Sequence, residues 1–143
     1  MSKKSPRIAA LLAECQHHDP RHSPYYSGYF ACFNRQLYYE AHDVLEELWL
    51  GCKRDADGNF YKGLIQFAGA YVHLQKGRLR PASNLFNLAL GNFAAYPPFH
   101  RDLDLAALSL FCREQVAALA ASGYTRNPWS PEAAPTLALK VAA

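Results

Sequence analysis

Residues 59–76, NFYKGLIQFAGAYVHLQK, constrain this chain more than any other stretch. At helical spacing Phe60, Leu64, Phe67, Tyr71 and Leu74 form one apolar stripe. Tyr61, Ile65, Ala68 and Val72 form a second, well round from the first. A helix that is apolar on most sides has to be surrounded, so the other elements must be arranged about it. Gly63, Gly69 and Ala70 leave room for neighbouring backbones to come close. Gly77 is a natural C-terminal stop.

Those other elements also read as helices. No run alternates in the manner of a strand. Ser5-Pro6 opens the first helix, and Ile8, Leu11, Leu12 and Cys15 make its stripe. Ser23-Pro24 repeats the start signal before Tyr26, Tyr29, Phe30 and Phe33. After a turn near Asn34–Gln36, a third helix runs from about Leu37 to Cys52, with Leu37, Ala41, Val44, Leu45, Leu48 and Cys52 on one face. Pro81 sits in the first turn of a fifth helix, which Pro97-Pro98 ends, and Asp102 is positioned to cap a sixth. Beyond Gly123 the run GYTRNPWSPEAAP turns proline-rich.

The expected fold class is therefore all-α, a single-domain bundle of about six antiparallel helices with short links. Residues 1–122 form the helical domain. Residues 123–143 form an extended or partly disordered tail, which Trp129 would pin to the body if it is pinned. A chain of 143 residues buries roughly 68–70% of its unfolded surface and needs no staples.

Composition narrows the function classes. A net charge of +3 is too mild for a dedicated nucleic-acid binder. No apolar run approaches the ~20 residues of a membrane span. The helical spacing of the N-terminal residues, with Glu14 among them, argues against a secretory signal. Cys15, Cys32, Cys52 and Cys112 form no C-x-x-C pair, and read as buried free thiols of a cytoplasmic protein. With only 19% of residues charged the surface is lean, which favours a partner or a homo-oligomer covering part of it.

Polar residues on the third and fourth helices carry the functional question. His42 lies at the edge of the third helix's apolar arc, Glu46 one turn on and Trp49 beyond it. Glu40 and Glu47 lie on the opposite shoulder, and Asp43 points most directly to water. Gln66 and His73 line one shoulder of the fourth helix. Two antiparallel helices would bring His42 and Glu46 against Gln66 and His73. Three readings stand side by side. The set is a buried polar seam, with a carboxylate accepting from histidine and glutamine completing the network. Or His42, Glu46 and His73 hold a divalent metal, zinc or iron. Or the seam opens on a small-molecule pocket walled by Tyr38, Tyr39, Trp49 and Tyr71. Two other clusters are poorer candidates. Lys76, Arg78 and Arg80 with Lys3, Lys4 and Arg7 form a weak basic patch, and His17, His18 and His22 form a histidine-rich link.

FNRQLYYEAHDVLEELW followed by GLIQFAGAYVHLQKGRLRPA resembles domain-of-unknown-function family 309. The resemblance rests on Phe33, Asn34, Glu40, Ala41, His42, Leu45, Glu46 and Trp49. It continues through Gly63, Leu64, Ile65, Gln66, His73 and Gly77, and covers about residues 30–95. It implies a small helical bundle and carries the idea of a metal-dependent hydrolase. The family often has glycine where this chain has Gln36. The expectation for function is a non-catalytic binding or assembly module with His42, Glu46, Gln66 and His73 at its polar centre. The alternative is a metal-dependent hydrolase in which His42, Glu46 and His73 are ligands and Glu40 or Glu47 is the base.

Overall fold

The computed structural model describes residues 5–14 and 21–140. Lys3, Lys4, Cys15, His17 and His18 lie outside the described residues. Among the described residues six helices run in order: α1 Ser5–Glu14, α2 Pro24–Asn34, α3 Tyr38–Cys52, α4 Gly58–Gln75, α5 Leu79–Phe93 and α6 Leu105–Ala121. The fold is all-α apart from one tiny antiparallel pair between α5 and α6, β1 Phe99–His100 with β2 Leu103–Asp104.

Each helix packs on the next, so α4 lies between α3 and α5, with α2 beyond α3 and α6 beyond α5. Eleven of the eighteen α4 residues are buried, as its two apolar stripes require. Around it stands an aromatic core. Phe33 stacks on Phe67 at 5.3 Å, while Phe67 and Tyr71 meet Phe86 edge-on at 5.8 and 5.5 Å. The buried Tyr29 hydroxyl donates to the Leu64 carbonyl at 2.6 Å and so ties α2 to α4. Cys32 and Cys112 are buried, and burial pushes the Cys112 thiol up to about 12. Among the described residues, no helix is long and apolar enough to cross a membrane.

The helix ends follow local chemistry. Ser23 Oγ accepts from the Tyr25 N–H at 3.1 Å, with Pro24 at the first helical position. At the end of α4, Gly77 takes φ +71°. The Arg78 N–H reaches back to the His73 carbonyl at 2.9 Å and the Gly77 N–H to Leu74 at 3.1 Å. The same bonding ends α2, from Leu37 N–H to Cys32 and from Gln36 N–H to Phe33, both at 2.9 Å. Here the left-handed residue is Gln36, at φ 62°. A side chain in that conformation costs roughly 1–2 kcal/mol. Two long-range bonds offset it: Gln36 Nε2 donates to the Pro131 carbonyl at 2.9 Å, and the Gln36 carbonyl accepts from Gln75 Nε2 at 3.2 Å.

Between α5 and α6 the structure departs from the sequence reading. Asp104, not Asp102, caps α6, its Oδ1 accepting from the Ala107 N–H at 3.0 Å. Arg101 and Asp102 form the hairpin turn at φ 48° and 60°, the backbone of a mirror-image turn without its usual glycine or asparagine. Tertiary partners hold it in place. Asp102 pairs with His22 Nε2 at 2.9 Å, Asp57 pairs with Arg101 and with His100 Nε2 at 2.8 Å, and the Tyr26 hydroxyl donates to the Arg101 carbonyl at 2.9 Å. His22 is thus a structural residue rather than part of a loose histidine cluster.

Beyond α6 the chain runs extended along the body to residue 140. The Trp129 indole N–H donates to the Tyr38 hydroxyl at 3.0 Å, and Asn127 Nδ2 donates to the Leu74 carbonyl at 2.6 Å. Asn34 grips Leu137 twice at 2.7 Å, donating to its carbonyl and accepting from its N–H. Asn34→Ala removes both bonds. We expect amide hydrogen exchange at Leu137 to accelerate at least tenfold while exchange in α4 is unchanged; equal protection in the variant would show that the segment is held by something else.

At the start of α4, a Cβ on Gly58 would collide with the Lys53 carbonyl oxygen, a backbone atom that cannot move alone. Gly58→Ala is expected to cost about 1–3 kcal/mol, read as a Tm lowered by roughly 3–10 °C. An unchanged Tm would mean that the α3–α4 turn relaxes without cost.

Candidate functional site

A cavity of about 240 Å³ opens over α4 between α3 and α5. Its polar lining is His42 from α3 with Gln66 and His73 from α4. Gln66 and His73 are seven residues apart, two helical turns, and so share one face of α4. Ile65, Val72 and Leu85 supply apolar wall, and Gly69 leaves the space that a side chain would fill. The aromatic wall is Tyr39, whose ring lies 5.9 Å from the His42 ring.

The other proposed wall residues face elsewhere. Tyr38 is buried in the core against Phe33 and Tyr71, where burial raises its hydroxyl pKa and the Trp129 bond partly counters this. Residues 38 and 39 differ by 100° round the helix, so only one of them faces the cavity. Trp49 shares the stripe of His42 but sits about 10 Å further along α3, beneath the ammonium groups of Lys53 and Lys62. Glu40 and Glu47 line no part of the cavity.

The carboxylate that serves His42 is Asp43. Its Oδ1 lies 3.0 Å from His42 Nδ1, and its other oxygen pairs with Arg7 of α1. Asp43 is fully buried, contrary to the expectation that it points to water. The reason is α1, which lies across α2 and α3 and covers the face that a wheel drawn for α3 alone assigns to solvent. Arg7 is likewise an ion-pair partner rather than part of a basic patch. Glu46 Oε2 stands 3.9 Å from His42 Nε2 with about 30% of its side chain exposed, too far for a hydrogen bond.

Gln66 Oε1 accepts from Asn92 Nδ2 of α5 at 2.7 Å. His73 Nδ1 is buried with no hydrogen-bond partner. Burial, then Arg78 and Lys76, hold the His73 imidazole below its usual pKa. Among the described residues, no group of three or more His, Cys, Asp or Glu side chains is placed to hold a metal ion. His42 and Glu46 come near coordination distance, but His73 does not complete a three-ligand set with them. Sequence reasoning missed Arg7 and Asn92, because both act across helices far apart in the chain.

The family described as Domain of unknown function (DUF309) matches residues 26–85. A protein of Aquifex aeolicus (strain VF5), described only as uncharacterized, is 30% identical over 108 residues. That match covers 76% of this chain but 28% of the relative, so the chain spans little more than a quarter of that protein's length. No solved structure matches. Every residue lining the cavity falls within the DUF309 segment, whereas Arg7, Asn92 and the strap from α6 to residue 140 lie outside it.

Asp43→Ala is expected to destabilise the fold by about 1–3 kcal/mol, since it removes the buried acceptor shared by Arg7 and His42. Glu46→Ala should cost under about 1 kcal/mol. Urea unfolding of the two variants tests the order, and equal losses would contradict the assignment of Asp43 as the buried partner.

Proposed function

We propose that this chain is a non-catalytic binding module whose working part is the cavity over α4. One observation carries the reading: His42, Gln66 and His73, the polar residues on the inner shoulders of α3 and α4, line a single cavity with otherwise apolar walls. An apolar concavity with a few convergent polar groups is the usual form of a small-molecule site.

Single-ring aromatic and heteroaromatic fragments, titrated into uniformly ¹⁵N-labelled protein, test the proposal. Amide shifts are expected to concentrate at residues 65–73. Gly69→Met should abolish them, since its side chain fills the cavity at a helix-tolerant position. Shifts confined to other surfaces, or binding undiminished in Gly69→Met, would overturn the reading.

The metal-dependent hydrolase remains as a second reading for one reason. His42 gives its Nδ1 to a carboxylate, the support commonly found behind a metal-ligating histidine. Against it stands the incomplete ligand set of His42, Glu46 and His73. Elemental analysis of untagged protein should find less than one equivalent of zinc or iron. A stoichiometric metal lost in His42→Ala would reverse the preference.

A further inference from the structure

We propose that the outward face of α6 pairs with the same face of a second copy of this chain, the two α6 helices lying parallel about a two-fold axis. The face shares no residue with the cavity, and its pairing does not depend on what the cavity binds.

α6 ends the layer and packs against α5. One of its faces is buried, carrying Leu105, Leu108, Cys112 and Leu119. A helix at the edge of a bundle ordinarily turns charged and polar residues outward. This one does not. Arg113 and Glu114 are its only charged residues, whereas the shorter α3 carries Glu40, Asp43, Glu46 and Glu47. Leu110 stands 52% exposed at the middle of the outer face. Ala106, Ala117 and Ala121, also exposed, fall in line with it at helical spacing. Charge depleted around an exposed large apolar side chain is the composition of an interface core.

The two charges say what covers this face. At about 100° per residue, Arg113 and Glu114 fall on opposite sides of the line through Leu110 and Ala117, each roughly 50° from it. Both are exposed, and among the described residues neither has an ion-pair partner. A rim of one sign would call for a partner of the other sign. One charge of each sign, set symmetrically about the midline, complements itself. A two-fold axis parallel to the helices carries the Arg113 side of one copy onto the Glu114 side of the other. Each Arg113 then meets the partner's Glu114, so the ion pair is made twice. Leu110 meets the partner's Leu110 at the axis, and the alanines on either side of it let the backbones approach. An antiparallel pair would set Arg113 against the partner's Arg113 and Glu114 against the partner's Glu114, a repulsion on both flanks. A helix of 17 residues is roughly 25 Å long. Contact along it falls short of the ~800 Å² per partner of a standard interface, so the dimer is weak and reversible.

Sedimentation velocity of the full chain from about 10 µM to 1 mM, a range that brackets weak association, tests the pairing. We expect a reversible monomer–dimer equilibrium. Leu110→Glu, a change at an exposed position, should raise the dissociation constant at least tenfold while the helical circular dichroism is unchanged. Arg113→Glu should raise it at least fivefold, and adding Glu114→Arg should bring it back to within twofold of the unaltered protein. The charge swap reads the orientation, because in an antiparallel pair Arg113→Glu only replaces one like-charged contact with another. A monomer throughout the range, or a dimer indifferent to Leu110→Glu, overturns the α6 interface; a monomer would leave the face to a different protein. A dimer that Leu110→Glu disrupts but Arg113→Glu leaves alone, or that the double swap does not restore, overturns the parallel pairing.

Discussion

A helix that is apolar round most of its circumference has to be enclosed, and enclosing α4 organises the rest of this molecule. α3 and α5 cover two of its sides, α2 and α6 extend the layer, and Phe33, Phe67, Tyr71 and Phe86 fill the space between. The cavity exists because the enclosure is incomplete along one shoulder. There Gln66, Gly69 and His73 interrupt the apolar surface, and Gly69 contributes no side chain to close the gap. The α4 face whose apolar surface is interrupted is thus the face on which the cavity opens.

The second organising contact is the buried Asp43. A carboxylate removed from water needs strong partners, and it has Arg7 from α1 and His42 from its own helix. The contact joins fold to site. It fastens the N-terminal helix to the bundle, and by occupying Nδ1 it decides what His42 presents to the cavity. Asn92 plays the corresponding part from α5 by occupying one end of Gln66. Neither residue lines the cavity, yet each defines the chemistry of one that does.

The strap beyond α6 shows a different economy of contacts. It has no helix or strand, so its backbone groups find partners one at a time, from Asn34, Gln36 and Asp102. Gln36 is informative here. It holds a left-handed position for which glycine is the easy choice, and its side chain is what reaches Pro131. The strain at one turn and the anchoring of a distant segment are two sides of one residue.

Much was legible in the residues themselves. Periodicity marked the helices, Ser23-Pro24 and Gly77 marked ends that formed where expected, and the doubled stripe of α4 marked the central helix. That His42, Gln66 and His73 lie along facing shoulders was also readable, because helical geometry fixes which side chains share a face; Glu46, read as part of the same seam, does not line the cavity. What the chain could not declare locally was everything set by contact between distant segments. Asp43 reads as solvent-facing until α1 is laid over it. Arg101 and Asp102 carry no hairpin signal, and the hairpin forms because Asp57, His22 and Tyr26 grip it. Tyr38 and Tyr39 are indistinguishable as letters, yet one is core and the other lines the cavity. Short-range hydrogen bonding and side-chain spacing are properties of a segment, so sequence determined the helices and their faces. Burial, ion pairing and the choice of hydrogen-bond partner are properties of the assembled surfaces, so only the tertiary structure decided which polar groups were left at the cavity.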